Sequence, residues 1–366
     1  MTPDPGLASW LQLTLTPGLG AATIRGLLKQ FGLPENVLGA KRAELARFAS
    51  AETLQALDSD PVARAVERAL AWSELPGNAI VALADQAYPK LLLEISDPPA
   101  LLYCRGRIEL LNRPALAVVG SRNATAQGTS NAEQFARSFS TSGLTIISGL
   151  AQGIDAAAHR GGLCGEGSTI AVLGTGVDIA YPPANLALAA EIAQRGLLVS
   201  EFPLETKAFA HNFPRRNRLI SGLAQGCLVI EAALASGSLI TARAAAEQGR
   251  EVFAVPGSIH SPLSKGCHGL IKSGAKLVES AEDVLSELAA FRRTGFASTR
   301  APANVSVVAD SPQEPLLVCM GFDPVDVDSL CARAGLPAER VSAELLRLEL
   351  AGRVAVLPGG LYQRLN

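Results

Sequence analysis

Over residues 7 to about 75, apolar positions recur at helical spacing. LASWLQLTL leads into a Pro-Gly-Leu-Gly turn at Pro17 to Gly20, and AATIRGLLKQFG then sets Ile24, Leu27, Leu28 and Phe31 on one face. Two helices joined this way predict a hairpin, which in helix-hairpin-helix modules offers backbone N–H groups to a DNA phosphate and more commonly only packs. From Pro114 onward, short β-branched runs alternate with Ala- and Leu-rich helical stretches, as consecutive βα units require. The runs are LAVVG, LTIISG, TIAVLG, LLVSEF, CLVIEA and EVFAVPG. Being apolar without alternation, they predict a parallel sheet with helices on both faces. Between the two patterns, residues 79–105 predict an added strand and an extended Pro-rich connection at the sheet edge. After Phe291 the periodicity lapses in RRTGFASTRAPANVSVVADSPQE, which predicts a linker. PLLVCMGF, DPVDVDSLCARAG and LPAERVSAELLRLELAG then predict three short helices, and RVAVLPGGLYQRL two strands around a Pro-Gly-Gly turn. Three helices and a hairpin make a winged helix.

The predicted fold class is therefore α/β: an extended Rossmann-like, doubly wound, mostly parallel sheet over residues 76–290. It is preceded by a helical module of SAM or helix-hairpin-helix type (1–75) and followed by a linker (291–314) and a winged helix (315–366).

Composition narrows the function. With 366 residues, 48% of them apolar, the chain can bury a large core, and a formal charge of −2 means that any polyanion must be met by a local patch. The six cysteines are scattered without a C-x-x-C, and the four histidines share no zinc-like spacing with them, so a reduced interior without metal is expected. MTPDPGLASW lacks a positively charged n-region and an apolar h-region, and no run approaches the roughly 20 apolar residues of a membrane span. A cytoplasmic protein is expected.

In open parallel sheets, ligands collect beyond the carboxyl ends of the strands. Here those ends are rich in groups suited to an anion. Gly120, Ser121 and Arg122 follow the first strand of the run, and Ser148, Gly149 and Gly153 the second. Arg215, Arg216, Asn217 and Arg218 come after the fourth, in FPRRNRLISG. Ser236, Gly237 and Ser238 follow the fifth, and Lys265 lies beyond the sixth. Proline is favoured at the first helical position, so a helix beginning near Pro214 would carry three cations in its first turn, against its own dipole. An anion there would relieve both; ion pairs with Glu201 and Glu205 are the alternative. Repetition of such groups at five strand ends favours phosphate.

The identity of the phosphate compound follows by exclusion. VVGSRN is not the G-x-G-x-x-G of a dinucleotide fold, the pattern begun by Gly174-Thr175-Gly176 fails at Ile179, and no G-x-x-x-x-G-K-[ST] occurs. Separate cationic loops suit a strand of successive phosphates. Phe213 and Tyr181 could stack bases or serve as core. Asp155 and His159, spaced i, i+4, read as a helix cap and a hydrogen bond, and neither Ser148 nor Ser238 has a histidine beside it in sequence, so no catalytic residue is assigned.

VVGSRNAT, ISGLAQGIDAAAHRGGL, AVLGTGVDIAYPPAN, SEFP with HNFPRRNRLISGL, EAALASGSLITARAAAEQGREVFAVPG and SKGCHGLIKSGAKLV together resemble the bacterial DNA-processing protein family DprA, or Smf, over about residues 80–280. The resemblance implies a cytoplasmic, non-enzymatic mediator that needs no cofactor. It would bind and protect single-stranded DNA, load the recombinase RecA and displace single-strand-binding protein during natural transformation. Arg122, with Gly120 and Ser121, would be its phosphate-binding loop, and Arg215 through Arg218 its basic R-N-R loop. Self-association would use the end of the core, making Leu270, Ile271 and Leu277 candidates for a homodimer surface. Pro183, Ala184 and Ala235 stand where relatives often carry basic residues, which implies weaker binding. The last long helix, with Glu339, Glu344 and Glu349 against Arg340 and Arg347, suits a protein partner better than a major groove. The alternative from another class is a nucleoside-monophosphate phosphoribohydrolase on a related core. Such enzymes use P-G-G-x-G-T, whereas the single P-G-G here, Pro358 to Gly360, falls in the presumed wing. A sensor of a free nucleotide is a third reading.

Overall fold

A computed structural model describes residues 5–295 and 314–365. Six helices come first: α1 Pro5–Leu15, α2 Ala21–Phe31, α3 Pro34–Gly39, α4 Arg42–Leu45, α5 Ala51–Ala56 and α6 Asp60–Ser73. The α1–α2 turn closes on a Leu19 N–H to Thr16 carbonyl bond, with Gly18 at φ 86, where a side chain would also strike Thr53. The module has its own core of Leu13, Ile24, Leu27, Val37, Leu45 and Leu54. Its other face, through Trp10, Leu11 and Ala69, packs on the sheet beside Tyr103.

The main sheet has nine strands: β1 Asn78–Ala82, β2 Leu101–Gly106, β3 Ala115–Val119, β4 Thr145–Ser148, β5 Thr169–Val172, β6 Leu197–Ser200, β7 Gly226–Val229, β8 Glu251–Ala254 and β9 Lys276–Leu277. Their spatial order is β1-β2-β6-β5-β4-β3-β7-β8-β9. All neighbours from β6 to β9 are parallel, while β1 and β2 join antiparallel at the β6 edge. The predicted single edge strand is thus a pair. Successive residues of one strand enter different cores: Leu197 and Val199 one, Leu198 the other, both fully apolar. That two-sided burial explains why these strands read as unbroken apolar runs. The crossover helices are α7 Ala126–Thr141, α8 Ile154–Gly162, α9 Leu186–Arg195, α10 Asn212–Gly222, α11 Ser238–Glu247 and α12 Lys265–Lys272. Helix α13, Ala281–Gly295, runs past the boundary expected at 290, and from 296 to 313 the expected linker lies outside the described residues.

The C-terminal unit contains α14 Pro315–Met320, β10 Val325–Asp326, α15 Val327–Ala334, α16 Ala338–Leu350, β11 Val354–Leu357 and β12 Leu361–Arg364, its strands ordered β10-β12-β11. Val341, Leu345 and Leu348 are the buried stripe of α16. Asp326 caps α15 through the Ser329 N–H, and Arg347 on the outer side of α16 is held by Glu314 and Glu344.

Candidate functional site

The sheet places β4 on one side of β3 and β7 on the other. Connections leaving β3 and β7 therefore diverge, and a crevice opens beyond their carboxyl ends. It encloses about 450 Å³ and is lined by Gly120 to Asn123 after β3, Ala151 and Asp155 after β4, Phe213, Pro214, Arg216 and Asn217 of α10, and Ser236 to Ser238 with Thr241 after β7.

The first loop is locked from below. The Ser121 N–H donates to the Glu231 carbonyl at 2.7 Å, the Ile154 N–H donates back to the Ser121 carbonyl at 3.1 Å, and the Ser121 hydroxyl accepts the Asn123 N–H at 3.2 Å. Gly153 permits this approach: at φ 74, a Cβ there would lie 2.3 Å from the Ser121 oxygen. Arg122 is left exposed at the rim with no ion pair among the described residues.

Arg216 is built differently. It lies 4% exposed, in step with Leu219, Ile220 and Leu223 on the buried side of α10. Its Nη1 donates to the carbonyls of Gly149 and Val172, and its Nε to Asn217 Oδ1 at 3.3 Å, while Nη2 has no hydrogen-bond partner among the described residues. Beside it, Asp155 Oδ2 accepts the N–H groups of Gly149 and Ala151 at 3.1 and 3.3 Å. Gly149 carries no side chain because a Cβ would sit 2.6 Å from Nη2 and 2.8 Å from Oδ2. Burial lowers the guanidinium's pKa and raises the carboxyl's, each restrained by the other's charge.

The expected arginine trio is therefore divided. Helix α10 starts at Asn212, two residues before Pro214, so the proline occupies its third position, where the backbone N–H would be unpaired in any case. The arginines consequently fall at the end of the first turn and in the second, and the dipole repels them less than a start at Pro214 implies. Only Arg216 and Asn217 line the crevice. Arg218 meets Glu201 at 2.5 Å and Asp97 at 3.5 Å, and Arg215 meets the same Glu201 carboxylate at 3.3 Å with its guanidinium over Phe202. Glu201 is the predicted acid partner; Glu205 instead donates its backbone N–H to Asp178.

Other sequence candidates separate in the same way. Ser236 and Ser238 share a hydroxyl contact of 2.7 Å at the crevice, beside Gly237. Ser148 is fully buried and donates to the Val118 carbonyl at 2.7 Å, so its hydroxyl does not reach the crevice. Gly149 and Gly153 act beneath the loops as backbone. Lys265 is exposed but does not line the crevice, its amine resting on the Ile259 carbonyl. Leu270 and Ile271 pack partly against the core, whereas Leu277 is 47% exposed on β9. Sequence reasoning placed Asn123 and Thr241 in these loops without naming either as a site residue, and both line the crevice. It left Phe213 between base platform and core: the ring lies against Gly174, lines the crevice and meets Tyr181 at 5.5 Å.

Asp155 and His159 do not bond to each other. His159 is buried, its Nε2 accepting the Leu150 N–H at 3.3 Å and its Nδ1 facing Thr169 Oγ1 at 2.7 Å. The Thr169 hydroxyl donates to the Ile146 carbonyl, so Nδ1 is the protonated nitrogen. Burial pushes the imidazole down to about 3. Because the unfolded chain takes the proton near pH 6.5, stability should be full above that pH and fall below it, at most by about 1.4 kcal/mol per pH unit. The raised Asp155 carboxyl opposes this at the acid end of the window. Denaturant melts between pH 5 and 7 check it: His159→Gln should flatten the slope, and an equally steep slope in that variant would remove His159 as its source.

The sequence model of the DNA recombination-mediator protein A family matches residues 79–289, and that of the DprA winged helix domain matches residues 298–360. Protein Smf of Escherichia coli K12 is 44% identical over 310 residues, covering 83% of this chain and 82% of the relative. The DNA processing protein DprA of Streptococcus pneumoniae is 49% identical over 205 residues, covering 56% of this chain and 72% of the relative. An X-ray structure of DprA from that species superposes with a TM-score of 0.67 at 39% identity, over 76% of this chain and 95% of that one. DprA of Helicobacter pylori, described for its single-stranded DNA binding mode, superposes with a TM-score of 0.53 at 29% identity, over 60% of this chain and 98% of that one. Matched across its core by the family model and along most of its length by Smf, the chain belongs to the DNA recombination-mediator protein A (DprA, Smf) family.

Proposed function

We propose that the crevice holds the phosphates of single-stranded DNA and that the protein works as a non-catalytic recombination mediator. In this role a cytoplasmic homodimer protects the strand, displaces single-strand-binding protein and hands the strand to RecA. One observation carries the binding step: a buried, charged guanidinium whose Nη2 has no hydrogen-bond partner among the described residues lines the crevice together with the exposed Arg122, which has no ion pair among them. Two cations in a partly desolvated cleft repel each other and favour an arriving anion. The DNA-processing names of the relatives and the single-stranded DNA binding described for the Helicobacter pylori protein support the same ligand. The lining offers serine and threonine hydroxyls that can donate to phosphate oxygens. Pro358 to Gly360 form the turn between β11 and β12 of the C-terminal unit, which leaves the phosphoribohydrolase reading without its motif. No helix among the described residues is long and apolar enough to cross a membrane.

Arg122→Ala tests the placement. Affinity for oligo-dT should fall, and the slope of log K against log[salt] should become shallower by about 0.7 for the one lost phosphate contact. Unchanged affinity and slope would remove the crevice as the binding site. Release of free base from nucleoside monophosphates would replace the reading with an enzymatic one.

A further inference from the structure

The segment leading into α10 is exposed throughout from Glu205 to His211, apart from the half-buried Thr206, and it presents Lys207, Phe209 and His211 at alternate positions. Phe209 is 50% exposed, and its ring stacks on His211 with centroids 5.8 Å apart and planes within 13°. Offset stacking at such a separation is favourable in itself, yet the outer faces of the pair remain in water. The pair does not hang on a loose loop. The Gly176 N–H donates to the Thr206 carbonyl, the Phe209 N–H to the Lys207 carbonyl and the Asn212 N–H to the Phe209 carbonyl, the last two at 3.0 Å. Asp178 across the loop is engaged by the Glu205 N–H, and Lys207 has no ion pair among the described residues.

Phe213 lines the crevice four residues beyond Phe209. Chain length therefore keeps the two rings' Cα atoms within about 14 Å, a span of a few nucleotides. Resting on the reading of the crevice as a single-strand site, we infer that Phe209 and His211 form a second base platform, on which a nucleobase stacks after the strand leaves the crevice, with Lys207 meeting the adjoining phosphate. Every base offers a π-face, so such a step is indifferent to sequence and adds affinity that salt does not screen.

The test uses the full-length protein, the Phe209→Ala/His211→Ala double variant, and oligo-dT beside an abasic oligonucleotide of equal length. Wild type should prefer oligo-dT to the abasic strand. The double variant should lose about five-fold or more for oligo-dT with an unchanged salt slope, and much less for the abasic strand. Phe209→Trp should retain wild-type affinity. Equal binding of both strands by variant and wild type, with Arg122→Ala still impaired, overturns the platform and leaves the crevice standing. Failure of wild type to bind oligo-dT overturns both.

Discussion

Arg216→Ala should destabilise the protein by about 3 kcal/mol and abolish tight strand binding together. Removing one member of a buried charge pair typically costs about 3–5 kcal/mol, because the other charge is left uncompensated in low dielectric. Here the loss also strands two carbonyl acceptors, Gly149 and Val172. Asp155 softens the effect: its carboxyl is already raised by burial and can take up a proton once the guanidinium is gone. The lower end of the range is therefore expected, and Arg216→Ala combined with Asp155→Asn should lose less than the sum of the single changes. Urea denaturation of the two single variants and the double variant measures this. Strict additivity would mean that Arg216 and Asp155 do not sense one another.

Glu201→Gln should move stability and binding in opposite directions. Its side chain is 3% exposed, and one oxygen is shared by Arg215 and Arg218. The other, Oε1, has no hydrogen-bond partner among the described residues. One negative charge thus restrains two positive ones. Neutralising it should cost about 2–3 kcal/mol, tempered because Arg218 keeps Asp97. Arg215, already 51% exposed and then untied, becomes available to a phosphate, which should steepen the salt slope by about 0.7. Denaturation and a salt titration of the same sample separate the two effects. Unchanged stability with an unchanged slope would show that Glu201 does not hold these arginines.

The sheet was legible because its strands are buried on both faces, so β3 to β8 announce themselves as apolar runs. The two-residue strands β9 and β10 carry no such signal, and β1 with β2 was only half read, since the Pro-rich stretch between them obscured the pairing. The crevice was legible as loop chemistry: Gly120, Ser121, Arg122 and Ser236 to Ser238 do converge. What the spacing of three arginines does not reveal is which carbonyls and carboxylates receive them. The cue was present in the register, because Arg216, Leu219, Ile220 and Leu223 fall at i, i+3, i+4 and i+7 and mark Arg216 as an inward position. Ser148 misled for a similar reason. A hydroxyl at the end of a strand can face a ligand or the neighbouring strand, and here it faces Val118.

The central proposal is a phosphate-binding crevice assembled from the ends of β3, β4 and β7 and from α10. Titration of labelled oligo-dT against the wild-type protein across a range of salt, in competition with duplex and mononucleotide, tests that most directly. For about four phosphates neutralised per protomer, log K against log[salt] should run with a slope near −3, and neither competitor should displace the strand at comparable concentration. A slope near zero, or displacement by a mononucleotide as effective as by oligo-dT itself, would contradict it.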